Sequence, residues 1–269
     1  MMFSTRRRLG LAVLILASLA FWLVDHALTA NLRRPAIFSG LSLMAVVLLL
    51  TLFNARKKLP FLPLLRASTW MQVHIYAGIF SVVLFFIHVG PKVPHGWLES
   101  TLAVLFLGVA VSGFVGLGIS RWVPSRLTVS GENLIFERIP ALRSAVSQEV
   151  ENVVIDSVGQ TNSSTIADFY EKKLRPYFAE PRFIFSHLVG YQKPVLRLLS
   201  EVEALDRYLN PEEKAIMTQV TELIRAKNNL DMQLAGQGLL KGWLFVHIPL
   251  TYSMIVFAVV HGALAWLVH

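Results

Sequence analysis

The sequence predicts an all-α membrane protein, with five transmembrane helices, a helical-bundle core and a mostly helical insertion domain before the last span. Three observations predict it. The chain has 269 residues, 54% of them hydrophobic and only 16% charged, and its mean hydropathy of +0.55 is too apolar for an ordinary soluble protein. Its apolar runs are long enough to serve as spans of a hydrocarbon core roughly 30 Å thick. Two of those runs repeat one pattern: His74 and His88 stand 14 residues apart in one, and His247 and His261 stand 14 apart in another.

The first span is expected from about Leu9 to Ala27. Arg6, Arg7 and Arg8 before it resemble the start of a signal peptide, but no small-residue cleavage site follows and the run continues through Phe21, Trp22 and Leu23, so it reads as a retained helix. Arg33, Arg34 and Pro35 separate it from the second, about Ala36 to Phe53. A basic loop with Arg56, Lys57, Lys58 and Arg66, broken by Pro60 and Pro63, leads to the third, about Thr69 to Val89. After the Pro/Gly loop Gly90–Gly96 the fourth runs from about Leu98 to Ile119. The fifth spans about Leu239 to Leu267, and Pro249 inside it should bend it. The segments are thus 1–58, 59–120, an insertion 121–238, and 239–269.

The insertion reads as Leu127–Glu137 forming a short hairpin, Glu151–Asp156 a possible strand, and helices elsewhere. One helix begins near Ser163-Ser164-Thr165 and another covers about Val195–Leu209. A third starts at Asn210 with Pro211, Glu212 and Glu213 behind it, and runs towards the fifth span. No glycine-rich nucleotide loop or Cys/His cluster is present, so a docking or bracing role is expected.

Charge sets orientation. The stretch from Arg121 to Lys241 holds 15 basic and 15 acidic residues, and the membrane-flanking remainder holds ten basic residues against Asp25 and Glu99 alone. A neutral insertion argues against nucleic acid, and basic flanks suit anionic membrane lipid. Arg6–Arg8, the 56–66 loop, Arg121 and Arg126 on one side outweigh Arg33, Arg34 and Lys92 on the other, which places the N-terminus and the insertion in the cytoplasm and the C-terminus outside. Trp70, Trp122 and Trp243 then mark the inner edge, and Trp22, Trp97 and Trp266 the outer. The absence of cysteine excludes disulfides, covalently attached c-type haem and cysteine-ligated iron–sulfur clusters.

Fourteen helical residues rise about 21 Å and return to within about 40° of the starting face. Each His-bearing span therefore carries one imidazole near each membrane surface on nearly one face. With one returning span between them, the two run parallel, so His74 should face His247 and His88 should face His261. Stacked imidazole pairs at two depths are what two non-covalent haems need for axial ligation. Imidazoles are costly in hydrocarbon and usually have a partner or a function. Four at one repeated spacing favour ligation over a proton or metal-ion path through the same residues. Gly78, one turn past His74, and Gly262, Gly108, Gly113, Gly116 and Gly118 leave room for a porphyrin or for close helix packing. Arg66, Arg121, Arg126 and Lys241 inside, with Lys92 and Arg34 outside, are candidate partners for haem propionates. His26, His95, His187 and His269 read as ordinary solvated histidines, with His26 beside Asp25 near the outer surface.

The two His-x13-His helices with one span between them resemble the haem-binding core of membrane di-haem b-type cytochromes. The likeness is to the cytochrome b subunits of quinol-oxidising bc complexes, and more loosely to ferric-reductase-type proteins and the membrane cytochromes of respiratory dehydrogenases. It covers about Trp70–Ile119 and Leu239–Trp266. It implies His74, His88, His247 and His261 as axial ligands of two b-type haems. The long insertion and the lack of a Pro-Glu-Trp-Tyr quinol motif depart from the bc pattern. The expected function is electron relay across the bacterial inner membrane as a subunit of a redox complex rather than a self-contained enzyme, with a quinone as a further cofactor candidate. Expected partners are a periplasmic c-type cytochrome and a cytoplasmic iron–sulfur protein or flavoprotein. The alternatives are a quinone or ferric reductase with its own substrate site, and a haem-free anchor or proton- or metal-path protein.

Overall fold

The computed structural model describes residues 3–31, 35–54, 66–91, 93–94, 96–127, 134–161, 163–181, 184–189 and 191–268. Arg33, Arg34, the 55–65 loop, Lys92, His95, His269 and positions 128–133 of the expected hairpin lie outside them. Among the described residues every regular element is helical and no strand occurs. The helices are α1 (Phe3–Ala30), α2 (Pro35–Thr51, then a 3-10 turn Leu52–Asn54), α3 (Ala67–Val89), α4 (Trp97–Leu127) and α5 (Ile139–Thr161). They continue as α6 (Thr165–Phe169), a π-helical turn Tyr170–Leu174, α7 (Arg175–Ala179), α8 (Ile184–Val189), α9 (Lys193–Leu205) and α10 (Pro211–Val268).

Among the described residues four helices are long and apolar enough to cross a membrane: Arg7–Ala30, Ser68–Val89, Trp97–Val123 and the helix Pro211–Leu267. With these, the chain is an all-α membrane protein. The second apolar run is shorter, its 17 residues reaching about 26 Å at 1.5 Å per residue. The last helix of the insertion and the final span are one continuous helix of 58 residues that passes through Pro249.

The strand expected at Glu151–Asp156 and the described end of the expected hairpin are corrected. Phe136, Glu137 and Arg138 form a 3-10 turn leading into α5, and Glu151–Asp156 lies inside α5. Val150, Val154 and Ser157 are the buried positions there, a spacing of four and three that marks a helix stripe. A six-residue window rich in valine and isoleucine is too short to separate the two periods.

The chain divides into two compact units, residues 1–117 with 243–269, and residues 118–242. In the first, α3 packs closely on α2 and α1. Its core joins Val47 of α2, Phe85 of α3, Phe106 of α4 and Met254 of α10, and the rings of Phe85 and Phe106 stack at 4.3 Å. The Ser81 hydroxyl, inside α3, turns back to the Gly78 carbonyl at 2.8 Å, a backbone partner where hydrocarbon offers none. α3 stops at Gly90, whose φ of +65° suits glycine, and Pro91 follows. The faces of α1 are largely exposed, with Ile15 at 65% and Leu16 at 64%, as expected of a helix that meets lipid.

The second unit has a conventional apolar core. Val150 and Val154 of α5, Ile166 of α6, Leu174, Phe178 of α7, and Met217, Val220 and Ile224 of α10 meet in it. α10 begins with a reciprocal cap: Asn210 Oδ1 accepts from the Glu213 N–H at 2.8 Å and Glu213 Oε2 accepts from the Asn210 N–H at 2.8 Å.

Candidate functional site

All four intramembrane histidines belong to the first unit. The rings of His88 on α3 and His261 on α10 stand 6.5 Å apart, centroid to centroid, at 82° to one another. His74, near the start of α3, lies within electrostatic reach of His247 on α10. Thus the structure sets His88 beside His261 and leaves His74 within electrostatic reach of His247. α3 and α10 do not approach each other as closely in backbone as α3 approaches α2 and α1, so the pairs meet through their side chains.

His88 and His247 each have a defined neighbour at Nδ1. For His88 it is the hydroxyl of Ser39, 3.1 Å away, with the Ala36 carbonyl also facing the ring. For His247 it is the hydroxyl of Ser112, 2.6 Å away. The Leu50 carbonyl faces the His74 ring, and His74 Nδ1 is buried without a hydrogen-bond partner. The Ser39 hydroxyl also lies 3.4 Å from the Ala36 carbonyl and the Ser112 hydroxyl 2.9 Å from the Val109 carbonyl. Each serine has one hydrogen to give, to its carbonyl or to the ring. Where the carbonyl takes it, Nδ1 is the donor and Nε2 keeps its lone pair, the arrangement in which the second ring nitrogen orients a metal-ligating imidazole.

The sequence reading missed these supports. Ala36 and Leu50 lie 14 residues apart on α2, matching the separation of the two histidines they face on α3. Ser39 and Ser112, polar residues inside apolar spans, were the available signal. Aromatic rings complete the setting. Trp243 stacks on His247 at 5.2 Å and 24° while its Nε1 donates to the Ser112 carbonyl at 2.7 Å. Phe53 lies 4.8 Å from His74.

Glycines fit around these rings. A Cβ on Gly40 of α2 would stand 2.9 Å from Cε1 of His88, and one on Gly116 of α4 would stand 2.0 Å from the Trp243 ring. Gly113 lies 3.9 Å, by the same measure, from Cε1 of His247, while Gly78, Gly108, Gly118 and Gly262 face open space. A Cβ added at Gly78 would meet nothing within 4 Å.

Of the expected propionate partners, Arg66 is exposed just before α3, where its carbonyl accepts from the N–H groups of Thr69 and Trp70 at 3.0 Å each. Arg121 is exposed on the part of α4 that belongs to the second unit. Lys241, in that unit, pairs with Glu137 and lies 4.1 Å over the Phe136 ring. Asp25 of α1 and Glu99 of α4 act electrostatically on His88, and Asp25 Oδ1 is buried without a hydrogen-bond partner. His26 is exposed and stacks on Trp22 at 5.5 Å.

His187 departs from expectation: it is buried, 9% exposed, in the second unit. Burial pushes its pKa down, with Lys227 adding to the effect and Asp231 opposing it. Lys227 and Asp231 pair within that core, Arg143 Nε lies 2.8 Å from the other oxygen of Asp231, and Lys227 Nζ donates to the Glu180 carbonyl at 3.0 Å.

Among the described residues no group of three or more His, Cys, Asp or Glu side chains gathers to hold a metal ion; each imidazole pair is a two-ligand set. Comparison with family models, with curated proteins and with solved structures returns no significant match.

Proposed function

We propose that the chain is a di-haem b-type cytochrome with five membrane spans, relaying electrons between the two faces of the bacterial inner membrane as part of a larger redox assembly. The observation that carries this reading is the approach of imidazoles on α3 to imidazoles on α10 at two levels, with the Nδ1 sides of His88 and His247 already engaged by serine hydroxyls. The spacing supports a group between the rings. Two metal–imidazole bonds of about 2 Å each, plus about 1 Å from each nitrogen to its ring centre, put such centroids about 6 Å apart. A direct N–H···N bond of about 3 Å would bring them to about 5 Å. The 6.5 Å between His88 and His261 matches the first.

In this reading His74 and His247 hold the inner haem and His88 and His261 the outer. Haem supplies one-electron redox chemistry when bound. The chain's own residues orient His88 and His247 through Ser39 and Ser112, exclude water with the Phe85, Phe106 and Met254 core, and fix the separation of the two sites along α3 and α10. Electron donors and acceptors of the classes expected above, a c-type cytochrome outside and an iron–sulfur protein or flavoprotein inside, would meet the two ends.

The test is the absorption spectrum of the purified protein. Two b-type haems per chain are expected, with a reduced α-band. His88→Ala or His261→Ala should remove one haem, and His74→Ala or His247→Ala the other. A colourless preparation sinks the proposal; loss of the same haem by His74→Ala and His261→Ala sinks the pairing.

A further inference from the structure

We infer that Asp25 is a redox-linked proton site: its carboxylate takes up a proton from the outer aqueous side when an electron arrives at the His88–His261 level and returns it when the electron leaves. The inference deepens the electron-relay reading and rests on it.

Residues 1–117 and 243–269 contain two acidic residues, Asp25 on α1 and Glu99 on α4, and both act electrostatically on His88. Glu99 is exposed, so water can serve its charge. Asp25 is placed differently. Phe21, one turn before it, stacks on Phe38 of α2 at 5.3 Å and meets Phe80 of α3 edge-on at 6.3 Å. Residues four apart share a helix face, so Asp25 lies on the side of α1 turned to α2 and α3. Its Oδ1 is buried and makes no hydrogen bond. The donors near it are engaged elsewhere. The Thr29 hydroxyl donates to the main-chain carbonyl of Asp25 at 2.9 Å, the Ser39 hydroxyl stands at His88, and the His26 ring stacks on Trp22.

A carboxylate so placed in a spanning helix is costly, and such groups characteristically carry protons or ions. The ionisable groups acting on the His88 ring, among the described residues, are Asp25 of α1, Glu99 of α4 and His261 of α10, and α2 contains none. An electron added at this level therefore meets negative neighbours, and the repulsion is stronger away from bulk water. A proton on Asp25 removes its share. The step balances: the electron comes from the one-electron donor expected at the outer side, the proton comes from water, and the carboxylate becomes a neutral carboxylic acid.

The experiment is electrochemical reduction of the full-length protein in detergent, in weak buffer with a pH indicator. Uptake of a proton per chain is expected, retained in Glu99→Gln and Asp25→Glu and lost in Asp25→Asn with both haems still bound. One of the two midpoint potentials should fall as pH rises, by up to about 59 mV for a tenfold change in proton concentration, and Asp25→Asn should flatten that slope alone. The reduced-minus-oxidised infrared spectrum of the wild type should gain a carboxylic C=O band that Glu99→Gln leaves in place. Reduction without proton uptake, an unchanged slope in Asp25→Asn, or loss of the band in Glu99→Gln overturns the inference. A two-haem protein that takes up no proton loses only this inference, whereas a colourless protein loses the electron-relay reading and this one together.

Discussion

The Ser112 hydroxyl stands 2.6 Å from Nδ1 of His247 and 2.9 Å from the Val109 carbonyl. One side chain on α4 therefore holds an imidazole on α10 at the nitrogen away from the proposed ligand position. Ser112→Ala removes that contact and leaves the ring without it. Loss of such a support typically costs 10–100-fold in ligand-site affinity. Haem titration of the purified variant should show the inner site weakened to that extent and the outer site unchanged. Full retention at both sites would mean that Ser112 does not orient the ligand.

The two glycines that touch the ring system make a paired prediction. A Cβ at Gly40 would press on Cε1 of His88, and one at Gly116 would overlap the Trp243 ring that stacks on His247. His88 is held by Ser39 and Trp243 by its bond to the Ser112 carbonyl, so neither ring can yield without losing a hydrogen bond. Gly40→Ala should lower occupancy of the outer site, and Gly116→Ala that of the inner, each by at least half in the reduced spectrum. Equal effects of both on one site would contradict the assignment of levels.

The histidine pairs were legible because a spacing of 14 repeats in two apolar runs, and helical geometry turns that spacing into faces and depths. The cap at Asn210 was legible for a similar reason, since Asn, Pro and Glu in that order satisfy specific backbone donors. What the sequence hid was whatever depends on a neighbour far along the chain. Gly40 looks like any packing glycine until α2 lies against His88. Leu50 contributes a carbonyl, which every residue has. His187 carries no mark of burial, because the charged residues that act on it, Lys227 and Asp231, lie far along the chain on α10. The strand expected at Glu151–Asp156 failed because Val153 and Val154 belong to a helical stripe that begins at Val146.

Asp231 is fully buried and holds two cations, Lys227 on its own helix and Arg143 on α5. Removing one member of a buried ion pair leaves charge without compensation, at a cost of about 3–5 kcal/mol. Asp231→Ala should therefore destabilise the 118–242 unit severely, while Glu222→Ala, whose pair with Arg225 is exposed, should change stability by about 0–1 kcal/mol. Thermal unfolding followed by circular dichroism checks both. Similar melting of the two variants would show that the buried network contributes little.

His187 makes the stability of the same unit depend on pH. In the folded chain its pKa is lowered, chiefly by burial and further by Lys227, with Asp231 acting against the shift. The unfolded chain therefore takes up the proton first as pH falls. The imidazole's contribution is complete above the ordinary value of about 6.5 and is lost as pH drops through the folded value. Buried carboxylates also weaken the fold in acid, so the informative quantity is a difference between proteins. His187→Gln cannot titrate and should flatten the profile: between pH 7.5 and pH 5.5 the wild-type melting temperature should fall further than the variant's, by the order of a few °C. Parallel profiles would show that His187 is protonated as easily in the folded chain as in the unfolded one.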